Sequence, residues 1–380
     1  MQYRDFGNTG IKVSALGFGA MRLPTKEDGK VDVDDAIKVI HRAFKLGVNY
    51  IDSAHGYHRG ESEVVVGEAV RSWNGRVYVS TKNPCREPSA DAWREVLDIS
   101  YKRLGLEQID FLNFHGLRWE SFTNIMKVPN GPLEAALKAR DEGLFKYLCF
   151  SCHDKPENMK KLIDTGLFTA MTVQYNILDQ ANTEMIAYAK EKGMGVVIMG
   201  PVGGGRLAAP SDRVESLVPN AKSNPEIAFR FVLANPNVST AISGMNTIAM
   251  VEENAATASR SETLSAEEKE RIAASLQEVK KLTDLYCTGC GYCMPCPNQV
   301  NIPRNFMLMN HYRVWGLKDY ARNMYAGLGD SKRKRGMGKK ASECVECGEC
   351  EPKCPQNIPI IEQLKEVAAK LGSDDPSGES

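Results

Sequence analysis

Between residues 15 and 258 short apolar runs alternate eight times with amphipathic stretches, and this alternation limits the fold more than any other property of the chain. Strands are expected near 15–21, 49–53, 76–81, 109–114, 145–151, 171–175, 195–200 and 239–243. Helices are expected near 33–46, 61–72, 89–104, 131–142, 156–165, 182–192, 224–235 and 247–258. Eight such units in about 250 residues match the usual size of an α/β, (β/α)8 TIM barrel. The competing arrangement is a doubly wound open sheet, but no Gly-rich GxGxxG segment follows the first strand. Before the first unit, Arg4 to Val13, with Gly7-Asn8-Thr9-Gly10 at its middle, reads as a small hairpin.

Three of the expected strands stop abruptly at polar residues. The run at Tyr50–Glu63 (YIDSAHGYHRGESE) hands over to Asp52, His55, Tyr57 and His58, RVYVSTK closes on Lys82, and IDFLNFH closes on His115. In a parallel barrel the C-terminal ends of all strands open on one face, so Asp52, Tyr57, Lys82 and His115 can share one site. Taken singly, a Tyr or His near a strand end is more often a packing or capping group. His55, His58 and His153 lack supporting company and are read as surface groups or as supports behind the site.

The 380 residues exceed the usual size of one domain, and 42% apolar with 25% charged residues describes a globular chain. Forty-eight basic against forty-eight acidic residues give no net charge, hence no general electrostatic case for nucleic acid or a membrane surface. No apolar stretch approaches the roughly 18 residues of a spanning helix. The N-terminal MQYRDFGNTGIKV lacks the charged-then-apolar plan of a signal peptide, so a cytoplasmic protein is expected.

Eight of the eleven cysteines lie between Cys287 and Cys354, leaving Cys85, Cys149 and Cys152 outside, which argues for metal chemistry in a reduced compartment. Cys344, Cys347, Cys350 and Cys354, followed by Pro355, have the C-x2-C-x2-C-x3-C-P spacing of a bacterial-type [4Fe-4S] run. Cys287, Cys290, Cys293 and Cys296 before Pro297 depart from it only in having two residues before the last cysteine. The echo of CPNQVNIP in CPQNIPI suggests an internal duplication. Because the fourth cysteine of each run ligates the other cluster in two-cluster domains, Cys354 is assigned with Cys287, Cys290 and Cys293, and Cys296 with Cys344, Cys347 and Cys350. Structural zinc is the alternative.

Domain limits follow: a barrel at 1–262, a linker helix at 263–285 with a Ser265 cap, a mainly helical two-cluster ferredoxin-like domain at 286–364, and a disordered tail at 365–380. Between the cysteine runs Phe306, Met309, Tyr312, Trp315 and Tyr320 are spaced as on helices, similar to helical dicluster ferredoxin modules. Lys332 to Lys340 (KRKRGMGKK) is either a solvated loop or a docking patch for an acidic redox partner.

YIDSAHGY, VYVSTK and IDFLNFH, in this order and spacing, resemble the signature segments of the aldo-keto reductases, and the similarity spans roughly residues 3 to 258. With the C-terminal cysteines, the whole chain resembles the subgroup that carries a fused [4Fe-4S] module. The resemblance implies the tetrad Asp52, Tyr57, Lys82 and His115 and an NADP(H) or NAD(H) cofactor across the strand ends. It also implies cofactor contacts from Met21, Ser151, Gln174, Gly200, Pro201, Gly203, Gly204, Gly205, Arg206, Leu207, Ser243, Gly244, Met245, Glu253 and Asn254. The glycines of GPVGGGRL can also be read as a plain flexible loop. Cys152 and His153 follow Ser151 where the family usually shows Asn. Met250 stands where many relatives place an Arg for the 2'-phosphate, and Gly244 replaces a frequent Lys.

Hydride addition to a carbonyl leaves an alkoxide, so a proton donor within hydrogen-bond reach lowers the barrier. Tyr57 is the expected donor, with Lys82, held by Asp52, stabilising the phenolate left behind and His115 orienting the carbonyl. The leading expectation is an oxidoreductase acting on a small carbonyl or alcohol, coupled through two [4Fe-4S] clusters to a redox partner protein. No flavin motif is present, although a flavin could take the place of nicotinamide, and clusters that only brace the fold are a further option. The competing class is an electron-transfer or ligand-binding module without turnover, which would not need the Tyr and Lys pair.

Overall fold

The computed structural model describes residues 1–208, 211–260, 263–284, 291–330, 338–354 and 358–372. Strands β1 (Tyr3–Asp5) and β2 (Lys12–Ser14) form an antiparallel hairpin. Eight parallel strands follow: β3 (Leu16–Gly19), β4 (Tyr50–Asp52), β5 (Tyr78–Pro84), β6 (Ile109–His115), β7 (Phe145–Cys152), β8 (Ala170–Gln174), β9 (Gly195–Met199) and β10 (Thr240–Ser243). They close in the ring order β10-β3-β4-β5-β6-β7-β8-β9, the (β/α)8 barrel that the alternation predicts. Helices cover the outside, Val33–Lys45, Glu61–Arg71, Ala90–Leu104, Pro132–Asp141, Pro156–Asp164, Thr183–Glu191, Asn224–Leu233 and Ile248–Ala258 among them.

Local chemistry starts and stops these helices. Asp32, Ser89 and Thr247 accept the amides of Asp35, Ala92 and Met250, satisfying N–H groups that the first turn leaves unpaired. Three strands, β5, β6 and β7, end beyond the expected residue. β5 reaches Pro84 rather than residue 81 because its ladder with β6 continues through Lys82↔Asn113, Asn83↔Phe114 and Pro84↔His115. Lys82 therefore projects from a paired strand and not from a loop.

The lower end of the barrel is plugged. Phe6 of the hairpin packs its ring 4.4 Å from Phe111 and 5.8 Å from Tyr50, in a buried group with Val13, Cys149, Ala170 and Val197. Gly7 makes this entry possible, since a Cβ there would lie 2.4 Å from the Gly193 carbonyl oxygen. With one end filled by aromatic side chains, a ligand can enter only at the C-terminal strand ends.

The chain divides into two compact units, Met1–Gly204 with Ala228–Leu264 and Gly205–Ile227 with Ser265–Ser380. Residues 205–227, placed inside the barrel domain by the sequence boundary at 262, thus group with the C-terminal part. That second unit contains the expected linker helix at Ala266–Asp284, opened by a reciprocal pair of bonds: Ser265 N donates to Glu268 and Glu268 N to Ser265 Oγ. Helices Ile302–Arg313, Lys318–Ala326 and Ile360–Gly372 build a core around Phe306, Met309, Tyr325, Leu364 and Val367. The last helix corrects the tail expected from residue 365. Ile360, Leu364, Val367 and Leu371 recur at helical spacing and are all buried, so ordered structure extends to Gly372. Residues 373–380, and 331–337 of the basic run, lie outside the described residues. Among the described residues no helix is long and apolar enough to cross a membrane.

Candidate active site and metal centre

Asp52 ends β4 and Lys82 lies near the end of β5, two neighbouring strands whose register pairs Asp52 with Ser80. Both side chains are at most 2% exposed. The Lys82 ammonium donates to Asp52 Oδ2 and, at 2.7 Å, to the Ser53 carbonyl. Burial alone would pull this ammonium down, but the Asp52 carboxylate and the Tyr57 hydroxyl outweigh it, and its pKa is raised. Lys82 is thus a fixed positive charge.

Asp52 is held in turn. Its Oδ1 accepts from Ser80 Oγ at 2.9 Å, Ser80 Oγ accepts from Asn113 at 3.0 Å, and Asn113 Oδ1 accepts from Thr172 at 3.5 Å. This buried chain of polar side chains ties β4, β5, β6 and β8 together across the barrel interior. Sequence reasoning missed Ser80, Asn113 and Thr172. The available signal was a small polar residue inside an otherwise apolar run, as in VYVSTK and IDFLNFH.

Tyr57 opens a turn, Tyr57–Gly60, in which His58, Arg59 and Gly60 take φ of 47, 57 and 101°. Two non-glycine residues in the left-handed region cost roughly 1–2 kcal/mol each, so the turn is held by its surroundings. His58 Nε2 accepts the Leu23 amide at 3.2 Å, and the Arg103 guanidinium reaches the His55 carbonyl at 3.1 Å. His55 and His58 therefore support the site from behind. The Tyr57 ring lies 4.9 Å from the Lys82 nitrogen and meets the His115 ring edge-on at 6.0 Å.

His115 stands at the last position of β6. Its pKa is pushed down to about 4, first by burial and then by the positive charges of Lys82, His153 and Arg86. By surface area the side chain is exposed at the open mouth, so the fixed cations are the firmer of these causes. Neutral imidazole is the form present at neutral pH, able to donate from one nitrogen and accept at the other. Cys85 and Cys152 near the mouth are both pushed up to about 11 by burial and remain thiols.

The residues expected to meet a nucleotide fall around the opposite side of the mouth. Met21 is exposed after β3, and Gln174 ends β8 half-buried. Gly200, Pro201, Gly203 and Gly204 follow β9, with Gly200, Gly203 and Gly204 at φ of 62, 60 and 69°. A Cβ on Gly200 would lie 2.6 Å from the Gln174 side-chain oxygen. After β10, Ser243 Oγ accepts from Asn254 at 3.3 Å, Met245 is buried, and Gly244, Met250 and Glu253 are exposed. Ser151 on β7 accepts the Gly116 amide at 2.9 Å, which fixes its oxygen and leaves its hydroxyl proton for another acceptor. Gly205, Arg206 and Leu207 fall in the second unit.

Arg22 was missed by sequence reasoning. Its guanidinium donates to the Gly204 carbonyl at 3.0 Å, and its stem approaches Gly244 closely enough that a Cβ there would meet it at 3.1 Å. A loop of left-handed glycines beside an arginine fits a phosphate group, since successive backbone N–H groups can face one anion.

In the second unit Cys344, Cys347 and Cys350 line one cavity together with Cys296, and Cys293 also borders it. The three thiols of one run thus meet the fourth cysteine of the other. Cys350 is raised by burial and by the neighbouring Cys344 and Cys347 among its smaller causes. Among the described residues no three Cys, His, Asp or Glu side chains converge tightly enough for a single metal ion. Three thiols of one run and the fourth of the other around one cavity are the donor set that a [4Fe-4S] cluster takes in two-cluster domains. Cys287 and Cys290 lie outside the described residues.

Comparison with known proteins agrees with both units. Residues 15–277 match the model of the aldo/keto reductase family, and residues 286–358 that of the 4Fe-4S dicluster domain. L-galactose dehydrogenase of Arabidopsis thaliana is 28% identical over 312 residues, covering 74% of this chain and 97% of its own. The NADH-specific methylglyoxal reductase of Escherichia coli is 25% identical over 235 residues, 56% of this chain and 71% of its own. The holo form of the aldo-keto reductase AKR11C1 from Bacillus halodurans superposes with a TM-score of 0.63 at 26% identity, covering 72% of this chain and 96% of that one. The chain belongs to the aldo/keto reductase family of oxidoreductases and carries a C-terminal 4Fe-4S dicluster domain.

Proposed function

We propose that the barrel interconverts a small carbonyl compound and its alcohol with Tyr57 as the proton donor and acceptor, and that the cluster domain exchanges electrons with a redox partner protein. The observation that carries this reading is the buried Lys82–Asp52 pair set beneath the Tyr57 ring. A protein that only bound a nucleotide would have no use for a cation buried there. Nicotinamide, when bound, would supply the hydride and with it both electrons of the reduction, and the clusters would carry single electrons to or from the partner outside this step.

The chain's own residues handle the proton. Tyr57 gives its hydroxyl proton to the oxygen as negative charge builds there, and the Lys82 ammonium stabilises the phenolate left behind. Asp52, fixed through Ser80 and Asn113, keeps the ammonium from turning away. Neutral His115 donates to the same carbonyl oxygen and orients it. Gly200, Gly203, Gly204 and Arg22 hold the pyrophosphate, and Ser243, Glu253 and Asn254 meet the adenosine. With Met250 exposed and uncharged, a 2'-phosphate finds no arginine at that position, and the E. coli relative named as NADH-specific supports use of NADH as well as NADPH.

The deciding experiment replaces Tyr57 with Phe in the anaerobically prepared protein. Nucleotide binding and iron content should survive while turnover of small aldehydes and ketones falls ~10²- to 10⁴-fold. Near-native turnover would remove Tyr57 from the reaction.

A further inference from the structure

We propose that Glu63 and Arg103 are positioning residues for the reaction, an ion pair that sets where the turn carrying Tyr57 stands over Lys82. This deepens the reading above and rests on it. Glu63 lies in the first turn of helix Glu61–Arg71, and its side chain is 0% exposed. Taking a carboxylate out of water is costly unless partners replace the lost hydration, so its bonds show what it is for. Its Oε1 accepts from Thr81 Oγ1 at 2.6 Å, and its Oε2 accepts from Arg103 Nη1 at 3.4 Å. Thr81 precedes Lys82 on β5, and alternation along the strand turns its side chain out to the helices where that of Lys82 turns in. One oxygen is thus tied to the strand that delivers the ammonium, and the other to helix Ala90–Leu104.

Arg103 carries the connection on to the turn. The same Nη1 donates to the His55 carbonyl, ahead of Tyr57, at 3.1 Å. Behind Tyr57 the guanidinium lies so close to Gly60 that a Cβ there would be 2.4 Å from Cζ. One side chain therefore grips the turn at both ends. His55 is held twice more: its amide donates to the Lys82 carbonyl at 3.1 Å, and its Nδ1 lies 3.1 Å from Ser100 Oγ, one helical turn before Arg103. The turn needs this grip because the left-handed His58 and Arg59 do not keep their shape unaided.

Stability alone does not call for an ion pair here, since apolar side chains of similar size often replace a buried pair without loss. What the carboxylate adds is direction. With one oxygen committed to β5 and the other to Arg103, it fixes the turn against the strand, and with it the Tyr57 ring at 4.9 Å from the Lys82 nitrogen. Misplacing a reacting group by about 1 Å can cost ~10²-fold in rate. Glu63 and Arg103 act through the backbone that carries Tyr57 and not on the substrate.

Removing one partner strands the charge of the other, so the test neutralises both, Glu63→Gln together with Arg103→Met. In the anaerobically prepared holoenzyme this double replacement should lower kcat for small aldehydes about 10- to 100-fold, while KM and nucleotide affinity change less than about threefold. Arg103→Lys keeps the charge but loses the planar fork, and its kcat should fall between the two. In the Tyr57→Phe background the double replacement should lower the residual turnover less than about twofold, because no phenol remains to be positioned. An unchanged kcat, or a loss as large in the Tyr57→Phe background, overturns the proposal. A fluorine label separates its failure from that of the carbonyl reading. Fluorotyrosine at position 57 should give one fluorine resonance in the otherwise native protein, and the double replacement should shift or split it. An unmoved resonance overturns the proposal even if Tyr57 is the proton donor. A moved resonance in a protein whose Tyr57→Phe variant turns over at the native rate retains the grip on the turn and loses the proposed reaction.

Discussion

The barrel and the cysteine-bearing unit assemble their candidate sites by opposite routes. In the barrel, Asp52, Tyr57, Lys82 and His115 come from segments spread over more than sixty residues, and hydrogen-bonded strand register sets their positions. The supporting chain through Ser80, Asn113 and Thr172 is complete without any ligand. In the second unit the cysteines sit in two short runs, and Cys293, Cys296, Cys344, Cys350 and Cys354 pack against the core that its helices build. The first site is built from side chains bonded to one another across the barrel, whereas the second consists of thiols around a cavity, and binding of a metal group to such thiols couples to folding. Geometry carried by backbone tolerates loss of a ligand; geometry carried by a cluster does not.

That contrast can be broken most sharply at Lys82. Lys82→Met should abolish turnover as fully as Tyr57→Phe, ~10²- to 10⁴-fold, and the double mutant should be little worse than the worse single one. The two differ in stability. Lys82→Met strands the buried Asp52 charge and should destabilise the barrel by about 3–5 kcal/mol, while Tyr57→Phe should leave denaturant unfolding near wild type. Multiplicative losses in the double mutant would show that the two residues act independently.

Removing the metal attacks the other side of the comparison. The anaerobic protein should hold about eight iron atoms per chain, and their loss should collapse the cluster-bearing unit while the barrel keeps its own unfolding transition. One or two equivalents of zinc with little iron, or a single transition lost together with the metal, would erase the distinction drawn between the units.

A smaller effect is expected at the nucleotide. Wild-type protein should discriminate between NADPH and NADH by less than ~100-fold, about 2.7 kcal/mol, and Met250→Arg should shift the balance toward NADPH by about tenfold. Titration of both nucleotides decides this, and a strong native preference for NADPH would point to another cation, Arg22 first among those described.

The smallest effect is pH-dependent. Native His115, lowered from 6.5 to about 4, refuses a proton that the unfolded chain accepts. Stability should therefore fall as pH drops below about 6.5, with the loss complete below about 4, and His115→Gln should flatten that slope. Urea midpoints at several pH values measure it. A slope unchanged by the substitution would mean that His115 titrates alike in both states.

Much of this was legible in advance because it is local. Eight apolar runs separated by amphipathic helices specify a barrel, since strands and helices of that length and order pack efficiently in few other ways. Apolar runs closing on Lys82 and His115, and CxxC steps at a recognised spacing, are likewise one-dimensional signals. The polar residues behind the site were harder to see, because Ser80 and Asn113 differ from core neighbours only by a small side chain.

The amino-acid sequence by itself determined the element order, the polar residues that close the apolar runs and the crowding of thiols into two runs, all consequences of periodicity and short-range spacing. Only tertiary structure decided that β5 extends to Pro84, that Asp52 rests on Ser80 and Asn113, and that Arg22 reaches Gly204. Only it set Pro84 beside His115 and tied Gly116 to Ser151. The physical reason is closure: which side chains meet across a barrel depends on the register of strands far apart in the chain, and residue spacing along one dimension does not encode it.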